Sequence, residues 1–425
     1  MSNDPLPLLW LTGPTGAGKS SAGWEIFDRL GRNGVKAAFL DTDQIALCHP
    51  APEGGTHRLR ARNLAALWPG FRRAGMRCLV LAGFVDTPEE VGEYTALLPG
   101  AAFTVCRLRV PHAELRERFL GRGWRPDLVE AAVAEAVEQD RSRYADLCVD
   151  TGGRTVAETA RLVLDRLGGW PPPTPASATE PVTAPTPASA TEPVTAPARA
   201  PVTAPLTAPG TAHVTAPLTA PVAGPAPASA VRGGGAGAGA PVPLVWFSGA
   251  TAAGKSTVGY EVFSRVHRSG VRAAYVDLRQ ISALRPSTPE EGRRLRAGGL
   301  AALWDGYRAA GAECLVVSGG ADSDEAVRAC TRLLPGLTPT VFRLHASPAT
   351  LLERVLLRGR GGGPATPGDE LRGLGPDALR AVAGRAAREA AALDRAGAGD
   401  VRLDTDGRSP QEVAARVMAR LRLPS

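Results

Sequence analysis

Residues 13–23 read GPTGAGKSSAG, and a near copy, GATAAGKSTVG, stands at 249–259. The copying extends well beyond the loop. Moving 236 positions along from any residue in 8–123 lands on its counterpart in 244–359 without a gap, and about half of the pairs are identical. Gly13 meets Gly249, Lys19 meets Lys255, Asp41 meets Asp277, Gln44 meets Gln280, Trp68 meets Trp304, Gly83 meets Gly319 and Arg118 meets Arg354. The second copy then gains 18 residues, RGRGGGPATPGDELRGLG at 358–375, before the register recovers with Asp146 matching Asp400 and Asp150 matching Asp404. A chain of 425 residues is too long for one ordinary core, and the repeat divides it into two like domains.

Between the copies the composition changes. Residues 171–240 hold no aromatic side chain, and TPASATEPVTAP occurs twice in succession, at 174–185 and 186–197. Such a stretch buries too little apolar surface to offset its ordering entropy. As a coil its ends would lie on the order of 45 Å apart, so it imposes no arrangement on what it joins. The expected organisation is a first copy over 1–170, a disordered Pro/Ala/Thr-rich linker over 171–240, and a divergent second copy over 241–425.

Within each copy, short apolar runs alternate with helical patterns. PLLWLTG, VKAAFLD, RCLVLAG, FTVCRLR and ADLCVDT show no in-out alternation, as expected for strands of a parallel sheet buried on both faces. SSAGWEIFDRLGRNG puts Ile26, Phe27 and Leu30 on one helical face and stops at Asn33 and Gly34. HAELRERFL and TVAETARLVLDRL repeat the helical spacing. Strand and helix in alternation predict an α/β fold, a three-layer domain with a parallel sheet between helices, written twice.

Charge and cysteine usage narrow the setting. The formal charge of +7 sits in the second copy: residues 1–170 carry 21 basic and 21 acidic groups, whereas 241–425 carry 26 and 19. No Lys/Arg run interleaved with aromatics accompanies the excess, which weighs against nucleic-acid binding. The six cysteines form no C-x-x-C pair and mostly lie in apolar runs. The N-terminus lacks a basic leader, and no stretch reaches the roughly 18 apolar residues of a membrane helix. A soluble, cytoplasmic protein with no membrane partner is the expectation.

G-x-x-x-x-G-K-S after a buried strand and before a helix has a direct physical reading. Its glycines let successive backbone N–H groups curl around a phosphate, and the helix N-terminus adds its positive end. The expected phosphate-binding residues are Gly13, Pro14, Thr15, Gly16, Ala17, Gly18, Lys19, Ser20 and Ser21 in the first copy. In the second they are Gly249, Ala250, Thr251, Ala252, Ala253, Gly254, Lys255, Ser256 and Thr257. Lys19 would neutralise the β- and γ-phosphates of ATP, and the Ser20 hydroxyl would ligate Mg²⁺. Of 49 basic side chains only Lys19, Lys36 and Lys255 are lysines, and two of the three stand where a compact ammonium fits and a planar guanidinium does not. Lys36 reads as ordinary surface.

FLDTDQIAL sets Asp41 and Asp43 at the carboxyl end of the second strand, the edge where parallel sheets bind ligands. Asp41 would orient the Mg²⁺ shell, and Asp43 would accept a proton from a substrate hydroxyl or, alternatively, cap a helix starting at Gln44. The second copy, YVDLRQISA, keeps Asp277 beside Ser256 as the Mg²⁺ pair but has Arg279 in place of Asp43. The third strands end in LAGFVD and VSGGAD, without the Asp-Glu pair of hydrolytic motors, and Gly83, Gly319 and Gly320 would let a ligand approach the backbone. After the fourth strand, ELRERFLGRGWRP offers Arg118 and Arg122, repeated as Arg354 and Arg358, as arginines able to close over a transferring phosphate. The alternative for that segment is a solvated amphipathic helix.

With the loop, the D-x-D strand, the glycine-ended third strand, the arginine helix and the terminal ADLCVDT in this order, the chain resembles the small P-loop kinases of gluconate, shikimate and adenylylsulfate. The resemblance implies a parallel sheet in the order 2-3-1-4-5, an arginine lid holding Arg118 and Arg122, and transfer of the ATP γ-phosphate to a small hydroxylated acceptor. It also implies an acceptor site at LDTDQI and an adenine-flanking segment at 149–151. GFVD at 83–86 departs from the Phe-Ile-Ser-Pro segment of adenylylsulfate kinases, and the second copy lacks the second Asp and has a longer lid. The expectation is a kinase with catalytic Lys19, Asp41, Asp43, Arg118 and Arg122 in the first domain, and a second domain that binds nucleotide and regulates. The competing readings are a regulatory NTPase whose two domains dock through nucleotide state and transfer no phosphate and, less favoured, a nucleic-acid-end kinase; docking of the first domain on the second is left open.

Overall fold

The computed structural model describes residues 5–85, 87–121, 126–142, 144–172, 242–319, 323–363 and 368–423. The expected linker, beyond residue 172, lies outside the described residues, as do Arg122 and Gly320. In the first half the strands are β1 (Leu6–Thr12), β2 (Ala37–Asp41), β3 (Cys48–His49), β4 (Cys78–Ala82), β5 (Ala101–Arg109) and β6 (Leu147–Asp150). The second half holds β7 (Val242–Gly249), β8 (Ala273–Asp277), β9 (Ala283–Arg285), β10 (Cys314–Ser318), β11 (Leu337–His345) and β12 (Val401–Asp404).

The helices of the first half are α1 (Lys19–Arg32), α2 (Gly55–Arg73), α3 (Pro88–Leu97), α4 (His112–Leu120), α5 (Val129–Arg141) and α6 (Val156–Arg166). Those of the second are α7 (Lys255–Arg268), α8 (Pro289–Ala309), α9 (Asp324–Thr331), α10 (Pro348–Gly359), α11 (Pro376–Arg395) and α12 (Pro410–Met418). No helix among the described residues is long and apolar enough to cross a membrane.

Two six-stranded sheets result, ordered β6-β5-β1-β4-β2-β9 and β12-β11-β7-β10-β8-β3. Each has five parallel strands in the order that the resemblance implied, with one antiparallel strand added at an edge. The central apolar runs become strands covered on both faces, while the expected fifth run is an edge strand, β6, buried only at Val149. Leu9 and Leu11 of β1 face Ile26, Phe27 and Leu30 of α1, while Leu8 and Trp10 face a second cluster on the opposite side. α1 ends at Asn33, and Gly34 takes φ 79° there.

The added strands cross between halves, a feature the sequence pattern did not show. β9 pairs with β2, Ala38 opposite Leu284, and β3 pairs with β8, Cys48 opposite Ala274. Each half thereby covers the edge that the other would leave with unpaired N–H and C=O groups. Behind this exchange α2 packs on α8, and Leu67, Trp68 and Phe71 join Leu303, Trp304 and Tyr307 in one buried cluster that also holds Trp10 and Trp246. Gly299 makes the approach close, since a Cβ there would lie 3.1 Å from a Leu67 methyl. Burying each such side chain is worth about 1.5–3 kcal/mol, so the packing between halves is core rather than surface contact.

Lys36 is not ordinary surface. Its ammonium donates to Glu291 of α8 across the boundary at 2.7 Å. Nearby, Arg285 of β9 bridges Asp28 on α1 to Glu370 in the extra segment of the second half, and its guanidinium lies 5.5 Å from the centre of the Trp24 ring. A Cβ on Gly368 would overlap that same indole. The 18-residue gain therefore rests on the helix that follows the first glycine-rich loop.

Candidate functional site

β1 delivers the chain to Gly13, whose φ of 134° lies in glycine's range and whose missing Cβ would overlap the Leu108 carbonyl of β5. The loop then turns through Pro14, Thr15, Gly16 and Ala17, the Ala17 N–H donating to the Pro14 carbonyl at 3.1 Å. Gly18 precedes α1 in the left-handed conformation, with no side-chain cap and no acidic residue in the helix's first turn. An uncapped helix N-terminus with its dipole suits an anion. Lys19 Nζ donates to the Gly13 and Pro14 carbonyls at 2.7 and 3.1 Å and lies 4.7 Å from the centre of the Phe84 ring. The ammonium is thus held across the loop mouth.

The second loop repeats this arrangement. Lys255 Nζ donates to the Gly249 and Ala250 carbonyls at 2.7 and 2.8 Å, and Gly254 again precedes the helix in the left-handed region. Ala252, standing for Gly16, is held at φ 65°, the one non-glycine residue at positive φ among the described residues. L-residues pay roughly 1–2 kcal/mol there, so the loop's shape persists against local strain. Burial lowers the Lys255 pKa, opposed by the charges of Glu389 and Asp277. Glu389 on α11 also accepts from the Thr251 N–H at 3.0 Å.

Opposite each loop stands a carboxylate. Ser20 Oγ donates to Asp41 Oδ2 at 2.6 Å, and Ser256 Oγ donates to Asp277 Oδ2 at the same distance. Burial, reinforced by the charge of Asp43 and opposed by the Ser20 hydrogen bond, pushes the Asp41 carboxyl up to about 6. Residues 42–45 form a turn, not the start of a helix, so Asp43 caps nothing there. Its N–H donates instead to Asp41 Oδ1 at 3.0 Å, and its own Oδ1 accepts from Arg60 Nη2 at 2.6 Å. In the second half the Arg279 N–H bonds Asp277 Oδ1 at 3.0 Å, so the turn is kept while its side chain changes sign.

Arg60 was not read from the sequence. Its signal was the register itself, which puts Arg296 at the same place in the second half. Gly83 also serves a different purpose from the one expected. A Cβ there would overlap the Thr42 hydroxyl, so the glycine seats the Asp41–Asp43 turn rather than a ligand. Gly319 does line the cavity of the second half.

Arg118 donates to Glu114 at 2.9 and 2.6 Å and to the Thr151 carbonyl at 2.7 Å, tying α4 to the chain after β6. Arg354 bonds Thr405 in the same way, with Nη1 and Nη2 both at 2.9 Å, and approaches the Ala253 carbonyl at 3.3 Å. Arg358 grips Asp369 through two bonds of 2.9 and 2.8 Å. Loop, carboxylate and arginines in the second half enclose a cavity of about 730 Å³ that also reaches Arg408 and Val413. Clefts of this size suit a cofactor-sized ligand.

The hydroxyl and carboxylate pairs, Ser20 with Asp41 and Ser256 with Asp277, fit a magnesium ion. Mg²⁺ is commonly bound through one or two protein oxygens, the remainder of its shell coming from phosphate and water. Among the described residues no group of three or more His, Cys, Asp or Glu gathers to form an all-protein cage.

No family model matches the chain, and no curated protein matches it. Solved structures resemble part of its length. An APS kinase of Mycobacterium tuberculosis, in complex with AMPPNP and APS, is 20% identical with a TM-score of 0.29, over 39% of this chain and 98% of that one. The tunicamycin resistance protein of Deinococcus radiodurans is 18% identical with a TM-score of 0.30, over 38% and 96%. Shikimate kinase from Acinetobacter baumannii, in complex with shikimate, is 22% identical with a TM-score of 0.27, over 38% and 93%. Likenesses of this size leave the functional reading to the residues of the site.

Proposed function

We propose that the chain is an ATP-dependent phosphotransferase of two P-loop domains, in which the first transfers the γ-phosphate to a small hydroxylated acceptor and the second holds nucleotide for control. The carrying observation is the contrast at one position. Both halves keep the lysine-bearing loop and the Ser–Asp pair, but where the turn after the second strand carries the carboxylate Asp43 in the first half, it carries Arg279 in the second.

In this reading the backbone N–H groups from Gly13 to Ser21 and the Lys19 ammonium bind the polyphosphate and offset the charge that develops on it. Ser20 and Asp41 would hold Mg²⁺, which when bound neutralises phosphate oxygens. Asp43, oriented by Arg60 and by its own N–H bond to Asp41, takes the proton from the acceptor hydroxyl. That oxygen forms the new bond to the γ-phosphorus as the bond to the bridging oxygen breaks, and the electron pair leaves with ADP. Arg118 fixes the segment at Thr151 that would flank the base, and Arg122 is the candidate to close over the transferring group.

A second reading, a nucleotide sensor without transfer, draws on the shared core and on the contact of the extra segment with α1. Asp43→Asn in the full chain separates the two. Phosphate transfer to a pool of hydroxylated metabolites is expected to fall by about 10²–10⁴-fold with ATP binding retained. Unchanged ATP turnover in the variant would assign the chain to the sensor class.

A further inference from the structure

The two halves differ in charge at the turn that follows the second strand of each sheet, where Asp43 stands in the first and Arg279 in the second. In the first half Arg60 is neutralised by Asp43 at 2.6 Å. In the second, Arg279 replaces that carboxylate while Arg296 keeps the place of Arg60, so an ion pair has become two like charges. Both line the cavity, Arg279 exposed and Arg296 half-buried.

Six cationic side chains face this cavity, Lys255, Arg279, Arg296, Arg354, Arg358 and Arg408, against the carboxylates Asp277 and Glu389. Four of the six are engaged: Lys255 by loop carbonyls, Arg354 by Thr405, Arg358 by Asp369 and Arg408 by the Asp404 carbonyl at 2.9 Å. Arg279 and Arg296 are the two whose guanidinium groups have no hydrogen-bonding or ion-pair partner among the described residues. Like charges lining one cavity repel, and the repulsion is relieved when an anion binds among them. Guanidinium forks match the oxygens of phosphate and carboxylate.

We propose that the second pocket binds a small molecule carrying a phosphate or carboxylate group between Arg279 and Arg296, at the place where the first half would take its hydroxylated acceptor, alongside nucleotide on the loop at 249–257. This rests on the reading that the second loop holds nucleotide. It makes the second half a receptor for an acidic metabolite and accounts for the loss of a carboxylate there, since Asp at 279 would repel such a ligand.

The test uses the full chain carrying Lys19→Ala, which leaves the second loop as the AMPPNP site. Calorimetry at low salt follows AMPPNP, then inorganic phosphate and, separately, malonate added to the AMPPNP-loaded chain. At least one anion is expected to bind with one-to-one stoichiometry, and which of the two binds tells phosphate from carboxylate. Arg279→Asp and Arg296→Ala should each weaken that binding by about tenfold or more, the size of a charge-assisted hydrogen bond, with AMPPNP affinity kept within about threefold as the check on folding. The proposal is overturned if neither anion binds the loaded chain, or if the variants bind it as the parent does. Failure of AMPPNP itself to bind would remove the nucleotide reading of the second loop and this proposal with it, an outcome distinct from the other two.

Discussion

Asp41 closes β2 with its carboxyl pushed up to about 6, against an ordinary value of 3.8, because it is buried next to Asp43. The folded chain therefore keeps a proton there that the unfolded chain has released, and across roughly pH 4–6 stability falls as pH rises. Asp41→Asn is expected to remove that slope, which urea midpoints measured across this range would show. A bound cation reverses the preference, since it favours the ionised carboxylate. Mg²⁺-dependent ATP binding should accordingly weaken as pH drops through about 6 in the parent chain, and the Asn variant should show no such titration. At the same scale, Asp43 and Arg279 could be compared from sequence alone because they share a register position. The partner of Asp43 could not, since Arg60 lies 17 residues away on a helix that carried no recognised signal.

The central strands β1, β2 and β4 were legible as unbroken apolar runs because each is covered on both faces, whereas ADLCVDT forms the edge strand β6, where Cys148 and Asp150 are exposed and only Val149 is buried. β3 and β9 were not legible, being two and three residues long with a pairing partner in the other half. Lys36 was misread for the same reason: its partner Glu291 stands 255 positions away. Gly83 was correctly seen as a close approach, but the Thr42 side chain that fills the space belongs to the turn, not to a ligand. The exchanged strands carry an expectation of their own. Leu284 is 4% exposed within the shared cluster, so Leu284→Asp sets a charge where burial is costly. Hydrogen exchange should then lose protection at 37–39, in the half that bears no substitution. Retained protection there would show that β2 does not depend on β9.

For the whole molecule, the repeat predicted two domains of one kind but gave no reason for them to touch. The structure supplies it in the cluster around α2 and α8, where Trp68 and Trp304 lie in one core with Trp10 and Trp246. If that core holds the halves together, cutting the full chain at a protease site introduced between residues 173 and 241 should leave both fragments in one peak on gel filtration at micromolar concentration. Fragments that separate would mean that the connecting segment, not the core, keeps them paired. The extra segment of the second half completes the link, with Asp369 on Arg358 of the cavity and Glu370 on the Arg285 that also binds Asp28 of α1.

The central claim is that one loop serves chemistry and the other serves binding. Transfer of labelled γ-phosphate from ATP to pooled hydroxylated metabolites, measured for the full chain and for Lys19→Ala and Lys255→Ala, tests it most directly. Transfer is expected to fall by about 10²–10³-fold in Lys19→Ala, the usual loss when one charge-stabilising donor is removed, and to persist in Lys255→Ala with one fewer nucleotide bound. Transfer that survives Lys19→Ala and disappears with Lys255→Ala would contradict it.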